Sequence, residues 1–278
     1  VTKPREIAGL SIIVTGGARG IGRATVERLA RAGASVAVGD LDPDLAAAAI
    51  APFGDRVAAA PLDVTDPASW REFLQAVGHL GPWDVLVNNA GIMPLGPVLK
   101  EADEVTRAIF NVNTLGPING TKAVAPGMVE RGRGHIVNVA SAVGRMAVAD
   151  GATYSASKHA VVGFTEAIRA ELAPQGIEVS MVLPAVVQTE LSAGVPAAKG
   201  VPPVSADDVA AVIEGVIRKP RAEVWVPRWA QGLTKASLAM PRRLQDAMAK
   251  ASDAGEVLSQ ADPAARAAYE ERARRNAH

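Results

Sequence analysis

Ser11-Ile12-Ile13-Val14-Thr15-Gly16-Gly17-Ala18-Arg19-Gly20-Ile21-Gly22 carries a short aliphatic run into a glycine cluster, and an amphipathic stretch follows to Ala32. Strand, glycine turn and helix is the reading of that succession. Glycines at 16, 20 and 22 let the backbone turn tightly and approach a pyrophosphate, while the start of the helix offers unpaired N–H groups and a positive dipole end. A glycine cluster alone is equally a structural turn. The strand before it and the helix after it favour a phosphate cradle, with Gly16, Arg19, Gly20 and Ile21 on its surface.

Outward from this stretch, short aliphatic runs alternate with helical ones as far as residue 226. Strands are expected at Ser11–Thr15, Ser35–Gly39, Arg56–Ala60, Asp84–Asn88, His135–Ala140, Glu178–Leu183 and Ala222–Val226. Helices are expected at Gly20–Ala32, from near Pro43, and at Pro67–Val77, Glu101–Glu130, Thr153–Ala173 and Ala206–Lys219, with Pro117 and Pro126 bending or splitting the fourth. The pattern predicts an α/β fold: a three-layer, doubly wound parallel sheet of about seven strands covered by helices on both faces. Pro184–Val204, rich in Ala, Gly, Pro and Val, reads as a flap over a site. After Pro227 the composition shifts. Leu233, Met240, Leu244 and Met248 form a helical stripe suited to docking on the body or on a sister subunit, and Pro263–Arg275 is another helix. One dinucleotide-binding and catalytic domain is expected over 1–278, with a core at about 8–226 and a helical extension at about 228–278.

Composition narrows the classes. Hydrophobic residues make up 49% of the 278 and aromatics 4%, an aliphatic mix suited to buried parallel strands. Twenty-nine basic side chains balance 29 acidic ones, so no basic stripe speaks for a nucleic-acid partner. The absence of cysteine removes disulfides, thiolate metal sites and cysteine nucleophiles, and the four scattered histidines have no ligand spacing, so no metal is expected. Val1–Leu10 lacks a signal-like apolar run, and no apolar span reaches about 18 residues; a cytoplasmic protein without a membrane partner is the expectation.

Asp40 ends the second strand about 20 residues after the glycines, where this motif places an acid that binds the adenosine ribose hydroxyls. Such a carboxylate repels a 2′-phosphate, whereas Arg19 would attract one. The balance favours NAD over NADP. Farther on, Tyr154 and Lys158 lie four apart on a helix and share a face. A neighbouring cation favours the phenolate and brings a tyrosine, near pKa 10 when unperturbed, toward acid/base work. Tyr-x-x-x-Lys is a common string by itself. Ser141, just past a strand's carboxyl end and thirteen residues before Tyr154, gives it context.

Together, the Thr-Gly-x-x-x-Gly-Ile-Gly loop at 15–22, Asp63-Val64, Asn88-Asn89-Ala90-Gly91, Asn113, Ser141, Tyr154-x-x-x-Lys158 and Pro184 resemble the short-chain dehydrogenase/reductase family, single-domain Rossmann-fold oxidoreductases. The resemblance implies hydride transfer between NAD(H) and a secondary alcohol or its ketone. It implies that Ser141 bonds the substrate oxygen, Tyr154 transfers the proton, Lys158 holds the nicotinamide ribose and Asn113 anchors a relay water. Asp63 and Val64 would flank the adenine, Asn89, Ala90 and Gly91 would lie beside the cofactor, and Val187 and Thr189 after Pro184 would contact the nicotinamide amide. Ala185 stands where the family usually has glycine, and its methyl should narrow the floor there or shift the following turn. The resemblance also implies a homotetramer assembled through Glu101–Glu130 and Thr153–Ala173; the second carries Ala156, Ala160, Val161, Phe164, Ile168 and Leu172. Met93, Met146 and Val148 are candidates for the substrate wall, with core packing as their alternative, and Asp150 reads as a solvated loop acid. An apolar flap favours a hydrophobic small-molecule substrate. An NADP-linked ketoreductase, a non-catalytic dinucleotide sensor, and a core serving an interaction made by its tail remain alternatives.

Overall fold

The computed structural model describes residues 4–196, 204–241, 243–245 and 258–275. Seven parallel strands form its centre: β1 (Ser11–Thr15), β2 (Ser35–Asp40), β3 (Val57–Pro61), β4 (Val85–Asn88), β5 (Gly134–Val139), β6 (Ile177–Pro184) and, after a short pair β7 (Val187–Gln188) and β8 (Val204–Ser205), β9 (Glu223–Val226). Their order is β3-β2-β1-β4-β5-β6-β9. Val14 pairs with Val38 on one side of β1, and Ile12 with Val85 on the other. The three-layer, doubly wound sheet expected from the alternating pattern is what forms.

Side chains alternate across each strand, so the sheet builds two cores from one set of runs. Ile12, Val14, Val36 and Val38 pack toward α1 (Gly20–Arg31) and α7 (Ala206–Arg218), meeting Val26, Leu29, Val209 and Ile213. Ile13, Ala37, Leu86 and Ile136 face the other way, toward α3 (Pro67–Ala76), α5 (Gly116–Glu130) and α6 (Ala152–Leu172), meeting Trp70, Phe73, Met128 and Ile168. Helix starts follow local chemistry. Asp42 accepts from the Leu45 N–H at α2 (Pro43–Ile50), Asp66 from the Ala68 N–H at α3, and Ser205 and Asp208 form a reciprocal box at α7. The start of α1 differs: Arg19 at its cap position makes no capping bond, which leaves that helix's first N–H groups open.

The expected helix Glu101–Glu130 is divided. α4 (Asp103–Phe110) leads into a single π-helical stretch at Asn111–Leu115 and then α5, while Pro126 stays inside α5. The widening falls just before Pro117 for a covalent reason. Proline has no N–H to give the carbonyl of Asn113, four residues earlier, so the α-helical ladder cannot continue there. The tail takes up only part of what was expected of it on the body. α8 (Ala230–Leu238) buries Thr234, whereas Leu233 is 64% exposed and Leu244 49%, so these two are not docked on the body, which leaves the sister-subunit alternative for them. Met248 and residues 197–203 of the expected flap lie outside the described residues. α9 (Pro263–Arg275) forms as expected and lies against the turn Glu190–Ser192.

His135 on β5 is wholly buried; its Nε2 lies 2.8 Å from Ser180 Oγ, and its Nδ1 has no partner among the described residues. Burial, with the nearby charge of Arg5, lowers its pKa to about 3. Unfolded protein therefore binds the extra proton first, and stability must fall as pH drops from about 6.5 toward 3. Between pH 7.5 and 5 this group removes about 2 kcal/mol. In urea unfolding, the stability gap between the unmodified protein and His135→Asn should narrow by that amount over this range. A constant gap contradicts it.

Candidate active site

The sheet order reverses between β1 and β4, and the connections leaving their carboxyl ends diverge there, opening a crevice. A cleft of about 1300 Å³ occupies it. Its lining takes in Gly16, Arg19, Gly20, Ile21, Asp40, Asp63, Val64, Asn89, Ala90, Gly91, Ser141, Tyr154, Lys158, Pro184, Val187 and Thr189, so sixteen residues singled out from sequence meet in one place. Asn113 lies behind the wall, 1% exposed.

The glycine loop leaves no room for side chains. A Cβ on Gly22 would lie 2.0 Å from the Gly16 carbonyl oxygen, and one on Gly16, whose φ is +65°, would lie 2.8 Å from Ala90 Cα. The loop is tied to the strand beside it. Thr15 Oγ1 accepts from the Asn89 and Ala90 N–H groups at 3.0 and 3.1 Å, and Asn89 Nδ2 donates to the Thr15 and Gly16 carbonyls at 2.9 and 3.1 Å. With the open N–H groups of α1, this backbone suits a diphosphate. Asp40 accepts from the Ala18 N–H at 2.9 Å and the Asp42 N–H at 3.1 Å, which fixes its carboxylate at the cleft edge. Arg19 is not free. It pairs with Asp42 at 3.1 Å and Glu190 at 3.4 Å, and Glu190 also holds Arg272 of α9 at 2.6 Å. Asp63 is fastened by the Thr65 N–H and hydroxyl at 2.8 and 2.7 Å. Thr189 packs over the loop, its Cγ2 3.3 Å from where a Gly20 Cβ would stand. Ala185 donates its N–H to the Val226 carbonyl at 2.8 Å, continuing the strand pairing past Pro184, and leaves Val187 on the cleft wall.

Deeper in, Tyr154 is 7% exposed and Lys158 5%. Lys158 Nζ donates to the Val139 carbonyl at 3.1 Å and lies 5.9 Å from the centre of the Tyr154 ring. Burial pushes the Tyr154 phenol up to about 12, opposed by a hydrogen bond with Ser141, and pulls Lys158 down to about 8. Both shifts have one cause: a water-poor pocket disfavours each charged form. Asn113, inside the π-helical stretch, spends its side chain on structure. Its Oδ1 accepts from the Ile92 N–H at 2.8 Å, and its Nδ2 donates to the Ile92 carbonyl at 2.9 Å and Ser157 Oγ at 3.1 Å. Among the described residues no group of three or more His, Cys, Asp or Glu could hold a metal ion.

A sequence profile described as short chain dehydrogenase matches residues 11–200. The chain belongs to the short chain dehydrogenase family. It is 39% identical over 194 residues to a sorbitol dehydrogenase of Cereibacter sphaeroides, covering 69% of this chain and 76% of that one. It is 37% identical over 192 residues to a 3-alpha-(or 20-beta)-hydroxysteroid dehydrogenase of Mycobacterium bovis, covering 69% and 74%. Two solved structures superpose at a TM-score of 0.76. One is a short chain dehydrogenase/reductase from Burkholderia phymatum in complex with NAD, 25% identical, with 83% of this chain and 93% of that one covered. The other is a short chain dehydrogenase from Burkholderia cenocepacia in complex with NADP, 31% identical, with 87% and 98% covered. As a short chain dehydrogenase the protein is an NAD(P)-dependent oxidoreductase acting on CH–OH groups.

Other cleft residues escaped the sequence reading. Asp42 could be recognised as a helix cap before Pro43, but nothing local announced its pairing with Arg19. Glu190 and Arg272 are 82 residues apart and meet only through the fold. Arg266 and Tyr269, which fasten α9 to the loop after β4, carried no motif at all. Met93, Met146 and Val148 do line the cleft, and Asp150 lies outside it, beside a smaller hollow under α9.

Proposed function

We propose that this short chain dehydrogenase moves a hydride between NAD(H) and an apolar secondary alcohol or its ketone, with Tyr154 transferring the proton. The observation that carries this reading is the buried Tyr154 phenol, bonded to Ser141 and beside Lys158, in the same cleft as the open N–H groups of α1. A nicotinamide dinucleotide bound there supplies or takes the hydride, and in its oxidised form adds a positive charge. Gly16, Gly20, Ile21 and Arg19 would hold its diphosphate side, Asp40 the adenosine ribose, Asp63 and Val64 the adenine, and Asn89, Ala90, Gly91, Pro184, Val187 and Thr189 the remainder.

The proton chemistry follows from the neighbours. Ser141 presents a hydroxyl to the substrate oxygen and to Tyr154. Lys158, at about 8, remains about nine-tenths protonated at pH 7, so a cation stands by the phenol when it gives up its proton. Both Asn113 amide hydrogens are committed and its Oδ1 already accepts from Ile92, so a relay water would be held by the Asn113 backbone carbonyl, which Pro117 leaves without an α-helical partner. Tyr154 and Lys158 are both in place, which favours a catalyst over a dinucleotide sensor. Met93, Met146, Val148, Trp225 and Leu258 around the pocket favour a hydrophobic substrate, in keeping with the hydroxysteroid dehydrogenase among its relatives.

NAD is favoured over NADP because Asp40 meets a 2′-phosphate with like charge while Arg19 is shared between Asp42 and Glu190. An NADP-linked ketoreductase is the second reading; Arg19, 40% exposed at the cleft edge, is the observation behind it. For assembly, α6 leaves Ala156 exposed and Ala160, Phe164 and Leu172 half-buried beside buried Val161 and Ile168, a strip of small and apolar side chains that supports a homotetramer through α5 and α6.

Tyr154→Phe should keep cofactor affinity and lose roughly 10²–10⁴-fold in turnover; near-normal turnover removes Tyr154 from the mechanism. The unmodified protein should prefer NAD by at least about 100-fold in kcat/KM, and Asp40→Ser should erase most of that preference. Equal specificity constants, or an NADP preference, in the unmodified protein would assign the site to Arg19. Sedimentation at micromolar concentration should show a tetramer, and monomer alone contradicts that assembly.

A further inference from the structure

α9 lies beyond the stretch matched by the family profile, and it is fastened to the cleft from two sides. Arg266, 3% exposed, donates to the Leu191 and Ala193 carbonyls at 3.1 Å each on the flap side, and to the Met93 carbonyl at 2.6 Å on the β4 side. Its guanidinium lies 5.2 Å from the centre of the Tyr269 ring. Tyr269, the only tyrosine besides Tyr154, lines the same cleft and is 9% exposed. Its hydroxyl accepts the Met93 N–H at 2.6 Å, and its own proton has no acceptor among the described residues.

Among the described residues that proton is a donor held in the cleft with nothing to bond. Buried polar groups are rarely left unpaired, and an acceptor that arrives with the ligand completes the site. Burial drives the Tyr269 phenol well above its ordinary range, so it remains a donor at any working pH. Tyr269 and Tyr154 line one cleft, which places the spare donor in the same chamber as the acid/base group. We propose that Tyr269 is a specificity-determining residue, donating a hydrogen bond to a second oxygen of the substrate, away from the reacting carbon. The favoured substrate class is then an apolar ring or chain carrying a hydroxyl or carbonyl at each end, not a simple alcohol.

This inference rests on the apolar alcohol/ketone reading above, and the test separates the two. Cyclohexanone and 1-decalone are compared with 1,4-cyclohexanedione and decalin-1,5-dione, the same rings with a second oxygen. The unmodified protein should reduce at least one diketone about tenfold or more better in kcat/KM than its parent ketone. Tyr269→Phe should remove that advantage through KM, leaving kcat, the parent ketones and the NADH dissociation constant unchanged. Equal loss on ketones and diketones would mark Tyr269 as merely structural and overturn the proposal, as would no diketone advantage or no loss. Failure of the unmodified protein to reduce any of the four contradicts the apolar-ketone reading, and this inference with it.

Discussion

No side chain fits at Gly22, because the Gly16 carbonyl oxygen occupies the place of its Cβ at 2.0 Å. That contact is backbone against backbone, so no rotamer change relieves it. The same crowding recurs where Gly16 meets Ala90 and where Gly17 meets Val38, whose Cγ1 would lie 2.4 Å from an added Cβ. The loop after β1 is thus pressed against the loop after β4, and Thr15 and Asn89 bond the two together. Position follows from this. α1 starts with bare N–H groups facing the crevice, and β4 delivers Gly91, Ile92 and Met93 to the opposite wall.

The chemistry depends on the dryness that this packing creates. One environment raises Tyr154 and lowers Lys158, so burial weakens the charged form of each, and at pH 7 a neutral phenol sits beside a largely protonated lysine. Charge that enters the cleft then acts across a poorly screened distance, where it counts for more than in water. The tail contributes to the enclosure. Arg266 joins the flap to the β4 loop through three carbonyls, and Glu190 links Arg19 on the cradle to Arg272 on α9. Those exposed pairs add little stability singly; their effect is to bring three separate segments to one rim.

The sheet was legible because parallel strands buried on both faces read as short aliphatic runs, and Ile12-Ile13-Val14 or Val85-Leu86-Val87 leaves little else to form. The cradle and Tyr154-x-x-x-Lys158 were legible because their spacing is local, set by one turn or one helix face. The division of Glu101–Glu130 was half legible: the prolines announced a disturbance, but only the lost Asn113–Pro117 bond says that the helix widens rather than ends. What covers Leu233 and Leu244 was not legible, since helical spacing shows that residues share a face and not whether the body or a sister subunit packs on it. Arg19's engagement with Asp42 and Glu190, and the part played by Arg266 and Tyr269, were invisible. They arise from residues 23 to 176 positions apart, and no local pattern records such meetings.

The central claim is that crowding in the glycine loop builds the dinucleotide cradle, and NADH titration tests it directly. Trp225 and Trp229 line the cleft, so binding is read from quenching of protein fluorescence. The account predicts that Gly22→Ala loses at least about 100-fold in NADH affinity, about 2.8 kcal/mol. Gly163→Ala on α6, where an added Cβ meets nothing within 4 Å, should leave affinity unchanged. An NADH dissociation constant for Gly22→Ala equal to that of the unmodified protein would contradict the account.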